Sequence, residues 1–115
     1  MTAVCGVLLA AGAGRRMGGP KALVELGGEP LVRRGVRLLV DGGCDPVVVV
    51  VGAAAELVRP LCVGAQVVQA SGWESGMAAS LRAGLAAATG DACVVSLVDQ
   101  PGVTPAAVER LRAAH

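Results

Sequence analysis

Residues 47–51 read Val-Val-Val-Val-Val. Five β-branched side chains in succession crowd a helix and fit a pleated strand, and no polar residue among them asks to face water. Such a run predicts a strand covered on both faces, the environment of a central strand in a parallel sheet. Parallel neighbours need long crossovers, so the flanking chain must supply helices and further strands.

The flanking chain has that pattern. Val4–Leu9 is a second apolar run that leads into a glycine-rich loop, and it predicts a buried strand. Pro30 is expected at the first position of a helix with Leu31, Gly35, Leu38 and Leu39 facing inward. Arg33, Arg34 and Arg37 share its outward face, and Gly42 and Gly43 end it. A short helix from Ala53 is expected to stop before Pro60. Ala65–Gln69 is less apolar, so it reads as a strand nearer an edge. A helix over Ser75–Ala88 aligns Met77, Leu81 and Leu85 at i, i+4 and i+8 as its core stripe, and Gly90 closes it. Ala92–Val98 predicts a fourth buried strand ending at Asp99. Thr104 caps a last helix, with Pro105 in its first turn and Val108 and Leu111 facing inward.

This alternation predicts an α/β, Rossmann-like fold: a mostly parallel sheet with helices on both faces and right-handed crossovers. The 115 residues give room for one domain. The pattern ends on a helix after its fourth strand. That suits a complete βα array and equally a chain truncated at its C-terminus, whose later strands are missing. If the first and fourth strands are neighbours, the loops leaving Ala10 and Asp99 open on one crevice beyond the carboxyl ends of the strands, where such sheets bind ligands.

Composition narrows the partners. Hydrophobic residues make up 54% of the chain, far from the disordered range, and Trp73 is the only aromatic, so Ala, Val, Leu and Gly must fill the core. Ten Lys and Arg stand against nine Asp and Glu, which gives no general field for nucleic acid or an anionic membrane. Cys5, Cys44, Cys62 and Cys93 lie far apart with no C-x-x-C, so they are expected as buried, reduced thiols. With no targeting segment and no apolar stretch near the roughly 18–20 residues that span a bilayer, a cytoplasmic protein is expected.

The chemistry concentrates in Leu8–Lys21, LLAAGAGRRMGGPK. Its four glycines let successive backbone N–H groups turn inward as an anion nest, and Arg15, Arg16 and Lys21 add charge. A triphosphate needs both directional donors and cations near its outer phosphates. Two familiar glycine motifs fit poorly. The dinucleotide fingerprint G-x-G-x-x-G meets Met17 at its third glycine, and Gly52 and Ala53 stand where an acid should follow the second strand. A Walker A loop finds its spacing at Gly14 and Gly19, but Pro20 intrudes before Lys21 and Ala22 has no hydroxyl for Mg²⁺. A plain structural loop with exposed arginines stays open.

Four blocks then carry a resemblance. LAAGAGRRMGGPKALVELGGEPLV, VVVVVG, GWESGMAASLRAGL and VSLVDQP occur in that order across nearly the whole chain. Together they resemble the molybdopterin nucleotidyltransferases, and the Gly-Met-x-x-Ser-Leu and Asp-Gln-Pro elements are most similar to the cytidylyltransferase branch. The guanylyl branch more often has Gly-Gly where this chain has Ala11-Gly12.

The resemblance implies that residues 1–115 are the nucleotide-binding part of a nucleotidyltransferase (GT-A-like) domain that transfers CMP from CTP to the phosphate of molybdopterin, with Mg²⁺ and release of pyrophosphate. Backbone groups of Leu9, Ala10, Ala11 and Gly12 would hold base and ribose. Gly14, Arg16 and Lys21 would hold the phosphates, Arg16 and Lys21 as catalytic cations. Asp99 would hold the metal, and Gly76 and Ser80 would line the nucleotide side of the crevice. Product delivery to a molybdoenzyme or its chaperone is a further implication. Two alternatives stay open: a guanylyl-, sugar- or alditol-phosphate enzyme of the same class, and a nucleotide-binding module without activity. One departure is that Ala70 stands where the family usually has Asn, so that contact is absent or taken over by Gln69 or Ser71.

Overall fold

The computed structural model describes residues 4–12, 21–72, 76–88, 92–98, 106–108 and 110. Four parallel strands form one sheet: β1 (Val4–Ala10), β4 (Val47–Val51), β5 (Gln66–Gln69) and β6 (Ala92–Leu97), in the spatial order β5-β4-β1-β6. A separate antiparallel hairpin pairs β2 (Glu25–Leu26) with β3 (Glu29–Pro30). Helix α1 (Leu31–Asp41) connects the hairpin to β4. A short helix, α2 (Ala55–Val58), runs into a 3₁₀ turn at Arg59–Leu61, and α3 (Met77–Ala87) connects β5 to β6.

The valine run holds the place expected of it, between β1 and β5 with every side chain buried. Side chains alternate across a strand, so β1 and β4 each feed two cores. Val4, Leu8 and Ala10 join Val47, Val49 and Val51 beneath α1, while Cys5, Val7 and Leu9 join Val48 and Val50 beneath α3. Glycines let both helices approach closely. A Cβ at Gly35 would lie 2.7 Å from a Leu8 methyl, and one at Gly84 would lie 2.6 Å from Val7 Cγ1. Both faces of the sheet are therefore used, and β1 and β6 are neighbours in the register Cys5↔Cys93 to Leu9↔Leu97.

Several expectations need correction. Pro30 is not the first helical residue. It ends β3 opposite Glu25, with φ −58° and ψ 141°, and α1 begins at Leu31. The cause is the preceding turn, where Gly27 and Gly28 take φ of 62° and 84° and fold the chain back on itself. The inward face of α1 is wider than four residues, since Val32 and Val36 are buried as well. Arg33 and Arg37 are exposed, but Arg34 is half-buried and lines a small groove with Leu31, Leu38 and Ser96–Val98. The helix after β4 starts at Ala55, because Ala54 takes a left-handed φ of 54°, and the helical path continues through Pro60 at the start of the 3₁₀ turn.

The stripe on α3 is the largest revision. Met77 is 60% and Leu85 46% exposed, while Ser80 and Gly84 are buried. A helix laid flat on a sheet of buried valines makes its closest approach through its smallest side chains. Strand β6 is only half-buried, with Val95 42% exposed, because α3 lies over β1, β4 and β5 and β6 ends the sheet order. The last helix is described at Ala106–Val108, where Val108 is buried and packs against Gly42 beyond the end of α1. Its expected cap Thr104, Pro105 and Leu111, and Gly90 after α3, lie outside the described residues.

The four cysteines are free; Cys5, Cys44 and Cys62 are buried and Cys93 half-buried. Burial pushes the thiols of Cys62 and Cys93 above their ordinary range, which leaves them poor nucleophiles. Among the described residues no helix is long and apolar enough to cross a membrane.

Candidate functional site

Three backbone hydrogen bonds tie the sheet's carboxyl ends together. The Val98 N–H donates to the Leu9 carbonyl at 3.2 Å, joining the exits of β6 and β1. The Ala53 N–H donates to the Ala11 carbonyl at 2.9 Å, and the Ala70 N–H to the Val51 carbonyl at 2.9 Å. The loops leaving β1, β4, β5 and β6 thus share one rim. A chain leaving β5 at this end and returning through α3 must start the helix here too, so the N-terminus of α3 belongs to the same rim.

Along β1 the side chains of Leu9, Ala10 and Ala11 are buried, which leaves backbone groups as what these residues can offer a ligand. Gly12 is exposed, and among the described residues no atom lies within 4 Å of where a side chain would stand. Lys21 opens a 3₁₀ turn over Lys21–Leu23, pinned by Ala22, which is 1% exposed. On the far side Gly76 precedes α3 with φ 125° and ψ −178°, a conformation that is essentially glycine's own. Among the described residues no side chain caps the helix there, and the first N–H groups of a helix are a favourable place for an anion. Ser80, one turn on, is 5% exposed and faces the core beneath α3. Gly14, Arg16, the Lys21 side chain, Trp73 and Asp99 lie outside what is described.

The structure therefore brings together Leu9–Gly12, Gly76 and Val98, the residue just before Asp99. Ala70 is 1% exposed and packs with Ala11 and Val48 in the core beneath α3, so its side chain offers no polar contact; Gln69 and Ser71 beside it are exposed.

Among the described residues no three His, Cys, Asp or Glu side chains cluster as a ready metal cage. A Mg²⁺ site does not require one, since that ion takes one or two carboxylates and completes its shell with phosphate oxygens and water. The single carboxylate of Asp99, directly after Val98, fits that pattern.

Sequence reasoning missed the β2–β3 hairpin, although the Gly27-Gly28 pair was its signal. The hairpin is fastened to α1 by a backbone bond, Leu31 N–H to the Val24 carbonyl at 2.8 Å. It is also fastened by an ion pair. Arg37 donates from Nη2 to Glu29 Oε1 at 2.8 Å and from Nε to Oε2 at 3.2 Å. Those hydrogen bonds, more than the wider field of Arg37, Arg34 and Arg33, hold the Glu29 carboxyl below its usual range, and they raise Arg37 in turn.

Comparison with known proteins agrees with this fold. A family model described as a MobA-like NTP transferase domain matches residues 6–115. A nicotine blue oxidoreductase from Paenarthrobacter nicotinovorans is 47% identical over 97% of this chain and 57% of its own length. A probable molybdenum cofactor guanylyltransferase from Opitutus terrae is 38% identical over 98% of this chain and 56% of its own. Among solved structures, a nucleotidyl transferase from Methanothermobacter thermautotroptrophicus superposes with a TM-score of 0.89 at 30% identity, covering 96% of this chain and 57% of that one. The chain thus spans somewhat more than half the length of the relatives it matches.

Proposed function

The chain belongs to the MobA-like NTP transferase domain family, and from that premise we propose that residues 1–115 form the nucleotide-binding part of a Mg²⁺-dependent nucleotidyltransferase. It moves CMP from CTP to the phosphate of molybdopterin. The observation that carries this reading is the Val98 N–H···O=C Leu9 bond, which puts the exits of β1 and β6 side by side. The glycine-rich loop follows one exit and Asp99 follows the other.

In the reaction a phosphate oxygen of the acceptor forms a bond to the α-phosphorus of the nucleotide. The bond from that phosphorus to the bridging oxygen breaks, and pyrophosphate leaves. The attacking oxygen is already ionised, so no general base is needed. Catalysis then rests on alignment and charge. Leu9–Gly12 would hold base and ribose through backbone groups, with Gly76 lining the crevice opposite; Ser80, expected beside it, is buried against the sheet and would support α3 rather than touch the nucleotide. Gly14, Arg16 and Lys21 would hold the phosphates. Mg²⁺, held by Asp99, would neutralise charge on the phosphate oxygens.

Two observations favour other readings. The guanylyltransferase names of two relatives, from Opitutus terrae and Rhodobacter capsulatus, favour GTP over CTP. The oxidoreductase name of another favours a redox dinucleotide in the same crevice. Against the latter, Met17 replaces the third glycine of the dinucleotide fingerprint and β4 is followed by Gly52 and Ala53 rather than an acid. Calorimetry with CTP, GTP and ATP at saturating Mg²⁺, beside NADH and NADPH, separates the three. Our reading expects CTP to bind tightest, from the Ala11-Gly12 pair and Asp-Gln-Pro. Tighter GTP binding changes the nucleotide, and binding of the dinucleotides alone defeats the transferase.

A further inference from the structure

The β2–β3 hairpin leads from the Lys21 turn into α1 yet has little packing of its own. Glu25 to Gly28 are exposed, and so are the apolar Val24 and Leu26. It belongs to a two-strand sheet separate from the main one, and isolated hairpins of that size are marginal. Its first attachment is the buried Ala22 with the Leu31–Val24 backbone bond, close to the chain's own path. The second is the two-bond fork of Arg37 on Glu29, which reaches across from the second turn of α1.

We propose that Glu29 and Arg37 are positioning residues for the triphosphate. Their ion pair holds the hairpin against α1 and, together with the buried Ala22, sets the attitude of the turn that carries Lys21. The proposal rests on the reading of Lys21 as an outer-phosphate ligand. The pair is open to solvent, with Arg37 46% exposed and Glu29 half-buried at 28%, so it adds little to the stability of the fold. A small bias is still enough to orient a marginal hairpin. The fork geometry keeps the guanidinium and carboxylate in one plane, so it fixes direction as well as distance.

The test compares wild type with Glu29→Ala, Arg37→Ala and the exchanged double variant Glu29→Arg/Arg37→Glu. Mg²⁺-CTP and CMP binding are measured by calorimetry and the thermal midpoint by circular dichroism. Each single variant should weaken CTP about two- to fivefold, the range an exposed pair can contribute. CMP affinity and the thermal midpoint should stay at wild-type values, and the exchanged pair should restore CTP binding. Unchanged CTP affinity in the single variants overturns the proposal while leaving the transferase reading intact. So does an equal loss for CMP and CTP, or a fall in the midpoint that tracks the loss of affinity, because each marks a merely structural role. If the wild-type chain binds no nucleoside triphosphate, the transferase reading falls, and this proposal falls with it.

Discussion

Gly84 is where α3 comes nearest the sheet. In an exposed helix a Gly→Ala change stabilises by about 1 kcal/mol through backbone entropy. Here the added methyl would stand 2.6 Å from Val7 Cγ1 and 3.0 Å from Val50 Cγ2, both on fully buried strands. Valine cannot swing such a methyl aside without changing its rotamer, and overpacking of this kind costs about 1–3 kcal/mol. The clash outweighs the propensity, so Gly84→Ala should lose about 1 kcal/mol in urea denaturation; a stabilised variant would show that α3 rides higher than described. Lys21 belongs to the same scale but to chemistry rather than packing. Lys21→Ala should weaken Mg²⁺-CTP binding by about 1.5–3 kcal/mol, the range for losing a charge-assisted hydrogen bond, and CMP binding by less. Equal losses for both nucleotides would remove Lys21 from the outer phosphates. The role proposed for Lys21 rests on the sequence, where glycine, arginine and lysine stand together in one loop. The partner of Arg37 was not, because a carboxylate eight residues away carries no signal until the hairpin folds it back.

Among the elements, the strands were the most legible. Their β-branched runs admit few other structures, and the positions of β1, β4 and β5 follow from how apolar each run is. The helices were read less well, since periodicity finds the largest apolar residues and packing does not always bury those. On α3 the stripe through Met77, Leu81 and Leu85 is real as a pattern, yet Ser80 and Gly84 face the sheet. Leu81 alone of the three packs against the buried cluster, at its margin. Met77→Ala and Leu85→Ala should therefore shift stability by less than about 0.5 kcal/mol, as exposed sites do. Leu81→Ala should cost more, about 1–2 kcal/mol, below the range for a fully buried leucine. Comparable losses at all three positions, read by chemical denaturation, would restore the periodic stripe as the core face. The hairpin was missed for a different reason: strands of two residues have no periodicity to read, and only Gly27-Gly28 announced the turn.

For the whole molecule, the decisive feature is the strand order β5-β4-β1-β6. From β1 the chain crosses under α1 to β4 on one side, and later returns over α3 to β6 on the other. The two crossovers lie on opposite faces and part at β1, which makes the carboxyl end of β1 and β6 a topological switch point, the usual seat of a ligand in such sheets. That location was legible as soon as the first and fourth runs were taken as neighbours. The CTP preference proposed above rests on the Ala11-Gly12 pair and Asp-Gln-Pro in the sequence; the fold adds nothing to it, because the side chains of Leu9, Ala10 and Ala11 are buried and the backbone groups left to offer a ligand are common to every sequence. The central claim is that a triphosphate binds at this switch point. It is tested most directly by titrating the ¹⁵N-labelled chain with Mg²⁺-CTP and following the amide shifts. The account predicts large changes at Leu9–Gly12, at Lys21, at Gly76 and the first turn of α3, and at Val98 and Asp99, with the outer strand β5 and the end of α1 unmoved. No saturable change, or changes confined to residues away from that rim, would contradict it.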